Sequence, residues 1–133
     1  MKKYLLDTHI LIWLITNNTR KLKNKNLKFL REDCVASVES LKEIALLQDI
    51  GRFDIDTNAE RLIKRLEAFS ISILDFDKAS TIAFFNLPYY SDHADPSDRS
   101  IIAQAIAKNL ILLSVDSKFD RYKTCGLRLE ELI

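Results

Sequence analysis

The chain has 133 residues, 47% of them hydrophobic and 29% charged, with only two Gly and two Pro. That is one domain's worth of globular sequence, and it excludes a disordered chain or a Gly-rich phosphate loop. The net charge of +1 hides an asymmetry: residues 1–31 sum to +7 and the remainder to −6. The basic part suits attraction to a polyanion, or is simply a solvated helix face.

In chain order, Tyr4-Leu5-Leu6 reads as a short strand ending at Asp7. Thr8 to Asn17 reads as an apolar helix, and Arg20 to Arg31 as a basic one. The run Ile10 to Ile15 is apolar almost all round, so that helix is expected to be buried. Cys34-Val35-Ala36 is a second strand, followed by a helix from Ser37 to Asp49 that Gly51 stops. Asn58 to Phe69 is amphipathic, with Leu62, Ile63, Leu66 and Phe69 on one side. Ile71 to Leu74 alternates as a strand does, and Asp77 to Asn86 is a helix closed by Pro88. Asp98 to Lys108 is a helix, and Leu110 to Val115 a fully buried strand. A helical turn from Asp116 to Tyr122 and an edge strand at Leu127-Arg128-Leu129 complete the chain. Alternating strands and helices predict an α/β domain, a central mostly parallel sheet covered on both faces. No linker, repeat or low-complexity segment divides residues 1–133, so a single domain is expected.

Cys34 and Cys125 have no redox or metal-ligand spacing and are expected to be reduced, buried thiols of a cytoplasmic protein. The start Met1-Lys2-Lys3 is basic, but Asp7 interrupts the apolar run a secretory signal needs. The longest apolar stretch, Ile10 to Ile15, is too short to span a bilayer, so no membrane role is expected.

Chemistry is expected from the carboxylates. Asp7 and Asp116 follow buried strands, and Asp98 opens a helix. Ligands of open α/β sheets bind beyond the carboxyl ends of the strands, so these acids are expected at one pole. Glu43 lies early in the helix after the second strand, near the same pole. Carboxylates gathered in this way repel one another unless a cation lies among them, and hard oxygen donors suit Mg2+ or Mn2+. Each acid also has a purely structural reading. Asp7 and Asp116 serve equally well as N-caps. Asp95, with Pro96 at the first helical position, caps the helix in whose first turn Asp98 falls. Ser40-Leu41-Lys42-Glu43 has the form of a capping box. Capping explains each residue singly, but not why all of them fall near one pole.

Leu5-Leu6-Asp7-Thr8-His9-Ile10-Leu11-Ile12-Trp13 resembles the opening motif of PIN-domain toxins of the VapC type. Ser37, Ser40, Glu43-Ile44-Ala45 and Gly51 resemble the second motif. Leu87-Pro88, His93 and Asp95-Pro96-Ser97-Asp98-Arg99-Ser100-Ile101-Ile102-Ala103-Gln104-Ala105 resemble the third, the most specific. Leu112-Leu113-Ser114-Val115-Asp116, with Phe119 and Tyr122, resembles the fourth. The motifs occur in the family's order through nearly the whole chain. Ser97 and Ala94 depart from the pattern, where a bulky and a basic residue are usual, and bear on substrate detail.

The resemblance implies a three-layer α/β/α sandwich and a metal-dependent endoribonuclease, the toxin of a toxin–antitoxin pair. It places Mg2+ or Mn2+ on Asp7, Glu43, Asp98 and Asp116, and implies 5′-phosphate and 3′-hydroxyl products. It further implies a homodimer that receives an antitoxin in a groove by the first helices. Supporting roles are open to Thr8, as a hydrogen-bond donor to a ligand or a first-turn residue, and to Asp95. His93 is read as a substrate contact or as ordering its loop, and His9 as structural. Arg99 touches a phosphate or pairs with a nearby acid. Two other readings compete. A receiver-type signalling module also gathers acids at strand ends, but Asp116-Ser117-Lys118 only weakly imitates its strand-end Lys. A non-catalytic PIN scaffold would keep mutually repelling carboxylates without use.

Overall fold

Five short segments become strands: β1 (Lys3–Leu6), β2 (Asp33–Ser37), β3 (Ile71–Leu74), β4 (Ile111–Ser114) and the more polar β5 (Arg128–Glu131). This computed structural model describes residues 3–53 and 56–132; Met1 and Lys2 of the basic start lie outside the described residues. The strands form one sheet in the order β3-β2-β1-β4-β5, and every pairing is parallel. Leu5 is in register with Val35 on one side and with Leu112 on the other.

Parallel strands need crossovers, and helices supply them: α1 (Thr8–Ile15), α2 (Thr19–Leu22), α3 (Val38–Asp49), α4 (Ala59–Ala68), α5 (Lys78–Asn86) and α6 (Pro96–Lys108). Successive strand residues point to opposite faces. Accordingly Tyr4, Leu6, Cys34, Ala36, Ile111 and Leu113 pack with α1, α3 and α4, through Ile10, Ile44 and Leu66. Leu5, Val35 and Leu112 face the other way, onto Ile101, Ile102 and Ala105 of α6 and onto Phe119 and Tyr122. The result is the expected three-layer sandwich. The strand order reverses between β1 and β4, and the crevice above such a switch point is where open α/β sheets bind ligands.

Several elements differ from the sequence reading. The basic helix expected over Arg20 to Arg31 is not continuous. It is broken into α2 and a 3-10 segment, Leu27–Arg31, because Asn24 takes a left-handed φ of 66° and Asn26 caps the second piece by accepting from the Lys28 amide. The helical turn after β4 extends further than expected, as a 3-10 segment over Ser117–Cys125. Val115, expected in a buried strand, is exposed. Cys34 is buried but Cys125 only half so, and both are free thiols. Gly51 does end α3: its φ of 75° is left-handed, and the Gly51 and Arg52 amides donate back to the Gln48 and Leu47 carbonyls. No helix among the described residues is long and apolar enough to cross a membrane.

Candidate active site

The carboxyl ends of β1 and β4 are tied together by one serine. The Asp7 amide donates to the Leu113 carbonyl (3.0 Å), continuing the β1–β4 ladder by one step. The Ser114 hydroxyl then donates to Asp7 Oδ2 (2.8 Å) and accepts from the Asp116 amide (3.0 Å). Asp7 Oδ1 meanwhile caps α1, accepting from the His9 amide at 3.0 Å. Asp7 is therefore both the expected cap and a buried acid at the switch point, 2% exposed. Burial alone would raise its carboxyl, but hydrogen bonds from His9 and Ser114 outweigh that and hold it below the ordinary value. His9 lies mostly in solvent, and its bond to Asp7 raises its own imidazole. Asp116 likewise caps the 3-10 segment after β4, through Oδ1 to the Lys118 amide (2.9 Å).

The helix after β2 corrects one expectation. Its N-cap is Ser37, which accepts from the Glu39 amide at 3.0 Å, so Ser40 and Glu43 do not form a capping box. Ser40 is instead buried one turn in, where it accepts a hydrogen bond from Thr8 Oγ1 (2.9 Å). That bond clips the first turn of α1 to α3 and leaves Glu43 free of any capping duty. On α6 the expectation holds: Asp95 is the N-cap with Pro96 behind it, and its Oδ1 accepts from the Asp98 amide at 3.1 Å. Asp98 then sits in the first helical turn, where the helix dipole favours an anion.

His93 precedes this helix in a loop that is held at several points. Arg121 grips Asp92 with two hydrogen bonds (2.6 and 3.0 Å) and lies over the Tyr90 ring. Arg99 donates to the Pro88 carbonyl (2.9 Å), with its guanidinium over Phe84 and Tyr89. Among the described residues these are its contacts, and none of them is the acid expected from sequence. The His93 ring is buried against Phe119, and its Nδ1 lies 2.9 Å from the Tyr122 hydroxyl. Its Nε2 faces Asp98 Oδ2 at 3.5 Å without a hydrogen bond. Burial holds the imidazole below its ordinary value, so it is neutral near pH 7.

His93, Asp98 and Asp116 each offer one ligand atom, and these atoms all lie within 4.8 Å of one another. Asp7 and Glu43 stand outside that tight group but within its electrostatic reach. Asp98 is pushed up to about 7 by burial and then by the charges of Asp95, Asp7, Glu43 and Asp116. Glu43 is raised by burial and by Asp95 and Asp7, against the nearby Thr8 hydroxyl and His9. Among the described residues, buried side-chain polar atoms lacking a partner are Glu43 Oε1, His93 Nε2 and Gln104 Oε1. Two of these belong to this one pole. Buried ligand atoms without partners, beside acids that resist ionising together, are the pattern a cation would relieve. Oxygen donors of this kind fit a hard divalent ion.

Ser114, Tyr122 and the Asp92–Arg121 clamp were not singled out as functional from sequence. Ser114 carried a signal in its position two residues before Asp116, at the end of a buried strand. The clamp carried none, because its members are 29 residues apart.

The sequence matches the PIN domain family model over residues 4–124. None of the functionally curated proteins matches it significantly. Among solved structures, the fold resembles that of DNA-bound VapBC from Salmonella typhimurium, with a TM-score of 0.66 and 21% identity over 98% of each chain. It also resembles VapBC2 from Rickettsia felis bound to a promoter DNA fragment, with a TM-score of 0.61 and 21% identity over 98% of this chain and 99% of that one. VapBC-1 from nontypeable Haemophilus influenzae gives 0.58 and 18% over 97% of each chain. At these identities the structural likenesses speak for the fold, whereas the family match runs from β1 through the 3-10 segment after β4 and takes in every acid of the cluster. The chain belongs to the PIN domain family.

Proposed function

We propose that this protein is a metal-dependent endoribonuclease and the toxin of a toxin–antitoxin pair, with Mg2+ or Mn2+ held by Asp7, Glu43, Asp98 and Asp116. The observation that carries this is the gathering of one buried acid, Asp7, and three half-buried ones above the β1–β4 switch point, with Glu43 Oε1 left unpartnered and Asp98 pushed up to about 7. When bound, a divalent cation activates water and neutralises charge on the scissile phosphate. The chain's own contribution is placement. Ser114 fixes the Asp7 carboxylate and the Asp116 backbone against each other. Asp95 fixes the start of α6 and so the position of Asp98. Thr8 and Ser40 lock the two helices that bring Asp7 and Glu43 together.

The test is cleavage of a bulk RNA substrate by purified protein with Mg2+, with Mn2+ and with excess EDTA. Cleavage is expected with either ion and abolished by EDTA, and either ion should raise the melting temperature because it binds the folded cluster. Undiminished cleavage in EDTA would sink the metal mechanism. Incorporation of phosphate from a phosphodonor at Asp7 or Asp116, without cleavage, would favour the receiver reading.

The partners of this reading are an antitoxin and a second copy of the chain. The antitoxin is supported by the fold likeness to VapBC complexes from three organisms. The homodimer is supported by an uncovered apolar strip on and just beyond α5, with Ile82 63%, Phe85 82% and Tyr89 71% exposed. Isolated apolar residues at a surface are ordinary, but two large ones on α5 with a third just beyond its end suit burial by a partner. Phe85→Glu is expected to halve the mass seen by sedimentation while leaving the circular dichroism unchanged. A wild-type protein that is already monomeric at tens of micromolar would remove the dimer from the proposal. The cytoplasm is the compartment this reading implies, since RNA and two free thiols both belong there.

A further inference from the structure

We propose that His93 is itself a metal ligand, its Nε2 joining carboxylate oxygens of Asp98 and Asp116 in a one-imidazole, two-carboxylate site that prefers Mn2+ to Mg2+. The inference rests on the metal-dependent reading above and deepens it, since that reading assigned the ions to carboxylates alone.

The ring is set up to present a lone pair. In the tautomer that carries the ring proton on Nδ1, the Tyr122 hydroxyl accepts from Nδ1 (2.9 Å) and turns its own proton towards the His93 backbone carbonyl (3.4 Å). In that tautomer Nε2 is unprotonated, and it points at Asp98 Oδ2, 3.5 Å away, without a hydrogen bond. A nitrogen lone pair facing a carboxylate oxygen is repulsive, and the side chain is 4% exposed, so bulk water does not relieve it. The third donor, from Asp116, completes a set whose ligand atoms lie within 4.8 Å of one another, close enough for small side-chain shifts to bring all three onto one ion.

The surroundings are those of a held ligand. A metal-bound histidine characteristically anchors its other ring nitrogen to an oxygen partner, and here that partner is Tyr122. Phe119 meets the ring edge to face at 5.2 Å, and the Arg121–Asp92 clamp fixes the residue next in sequence. A histidine that merely filled space would not leave its one free nitrogen unpartnered between two acids. The metal preference follows from the donors: imidazole suits first-row transition ions, whereas Mg2+ favours oxygen and water.

The experiment is pulsed electron paramagnetic resonance of Mn2+ bound to the full chain, after removal of any purification tag. The chain contains two histidines, His9 and His93, so an imidazole 14N coupling is assignable. The coupling is expected in the wild type, retained in His9→Gln and lost in His93→Gln. In His93→Gln, Mn2+ affinity is expected to fall roughly 10-fold or more, with Mg2+ affinity changing much less. Should His93→Gln fail to fold, the wild-type and His9→Gln spectra still decide. Bound Mn2+ without nitrogen coupling, or coupling lost in His9→Gln, overturns the role of His93 and leaves the carboxylate reading standing. Equal losses of Mn2+ and Mg2+ affinity in folded His93→Gln also overturn it, by making His93 a structural residue. Absence of any Mn2+ binding overturns both readings.

Discussion

Asp98→Asn is expected to lower RNA cleavage by about 10²–10⁴-fold, the cost of several kcal/mol of lost charge stabilisation, while making the metal-free protein more stable at neutral pH. The two effects have one cause. The Asp98 carboxyl is pushed up to about 7 in the fold, against 3.8 for the free group, by burial and by four neighbouring acids. A carboxyl raised on folding binds its proton more tightly in the folded state. The contribution of Asp98 to stability without metal is therefore fully present below about pH 4, declines as pH rises, and is gone above about 7. A shift of this size corresponds to at most about 4 kcal/mol. The amide of Asp98→Asn does not titrate, so the variant should melt several °C higher than wild type at pH 8 and alike near pH 4. Asp95 is the internal comparison. Asp95→Asn keeps the cap and should be mild in both respects, whereas Asp95→Ala should cost about 1 kcal/mol and leave metal-saturated cleavage measurable. The readouts are metal-free melting from pH 4 to 8 and cleavage at saturating Mn2+. An inactive Asp95→Asn beside an active Asp98→Asn would move the site to Asp95.

The parts of the molecule legible in its sequence are those encoded by local pattern. Alternation from Ile71 to Leu74 and the continuous apolar run from Leu110 announced strands, and the Asp95-Pro96 pair announced the start of α6. Placing Asp7 and Asp116 beyond adjacent strand ends followed from parallel topology alone. What sequence hid is what depends on pairing between distant segments or on competition between neighbouring ones. Ser37 and Ser40 are both plausible caps of one helix, and only the burial of Ser40 under Thr8 decides for Ser37. The basic stretch has helix-forming Lys and Arg throughout, but two Asn residues, at 24 and 26, offer the backbone alternatives that break it. From sequence His93 reads as a substrate contact or as ordering its loop. Its significance comes from Tyr122, which fixes the ring from a segment 29 residues away.

Asp7→Ala is expected to be the most damaging single truncation at the site, because Asp7 performs structural and chemical work with the same carboxylate. Its loss removes the cap of α1, worth about 1 kcal/mol. It also leaves the buried Ser114 hydroxyl without an acceptor, worth about 1–3 kcal/mol more. Asp7→Asn separates the two roles. One amide oxygen can still cap His9 or accept from Ser114, but not both, so the loss of stability should be smaller while cleavage falls as far as in Asp98→Asn. Its pH dependence should have the opposite sign. The Asp7 carboxyl is held below its ordinary value in the fold, so its ionised form stabilises the folded state. That contribution is present above about pH 4 and is lost as pH falls through the lower folded-state value. Without metal at pH 7, Asp7→Asn should therefore melt below wild type and Asp98→Asn above it, with the Asp7→Asn deficit closing in acid. If both variants shift melting in the same direction at pH 7, the two acids do not have the opposed environments assigned to them. If Asp7→Asn cleaves RNA at the wild-type rate, Asp7 is a cap and nothing more, and the metal must be held without it.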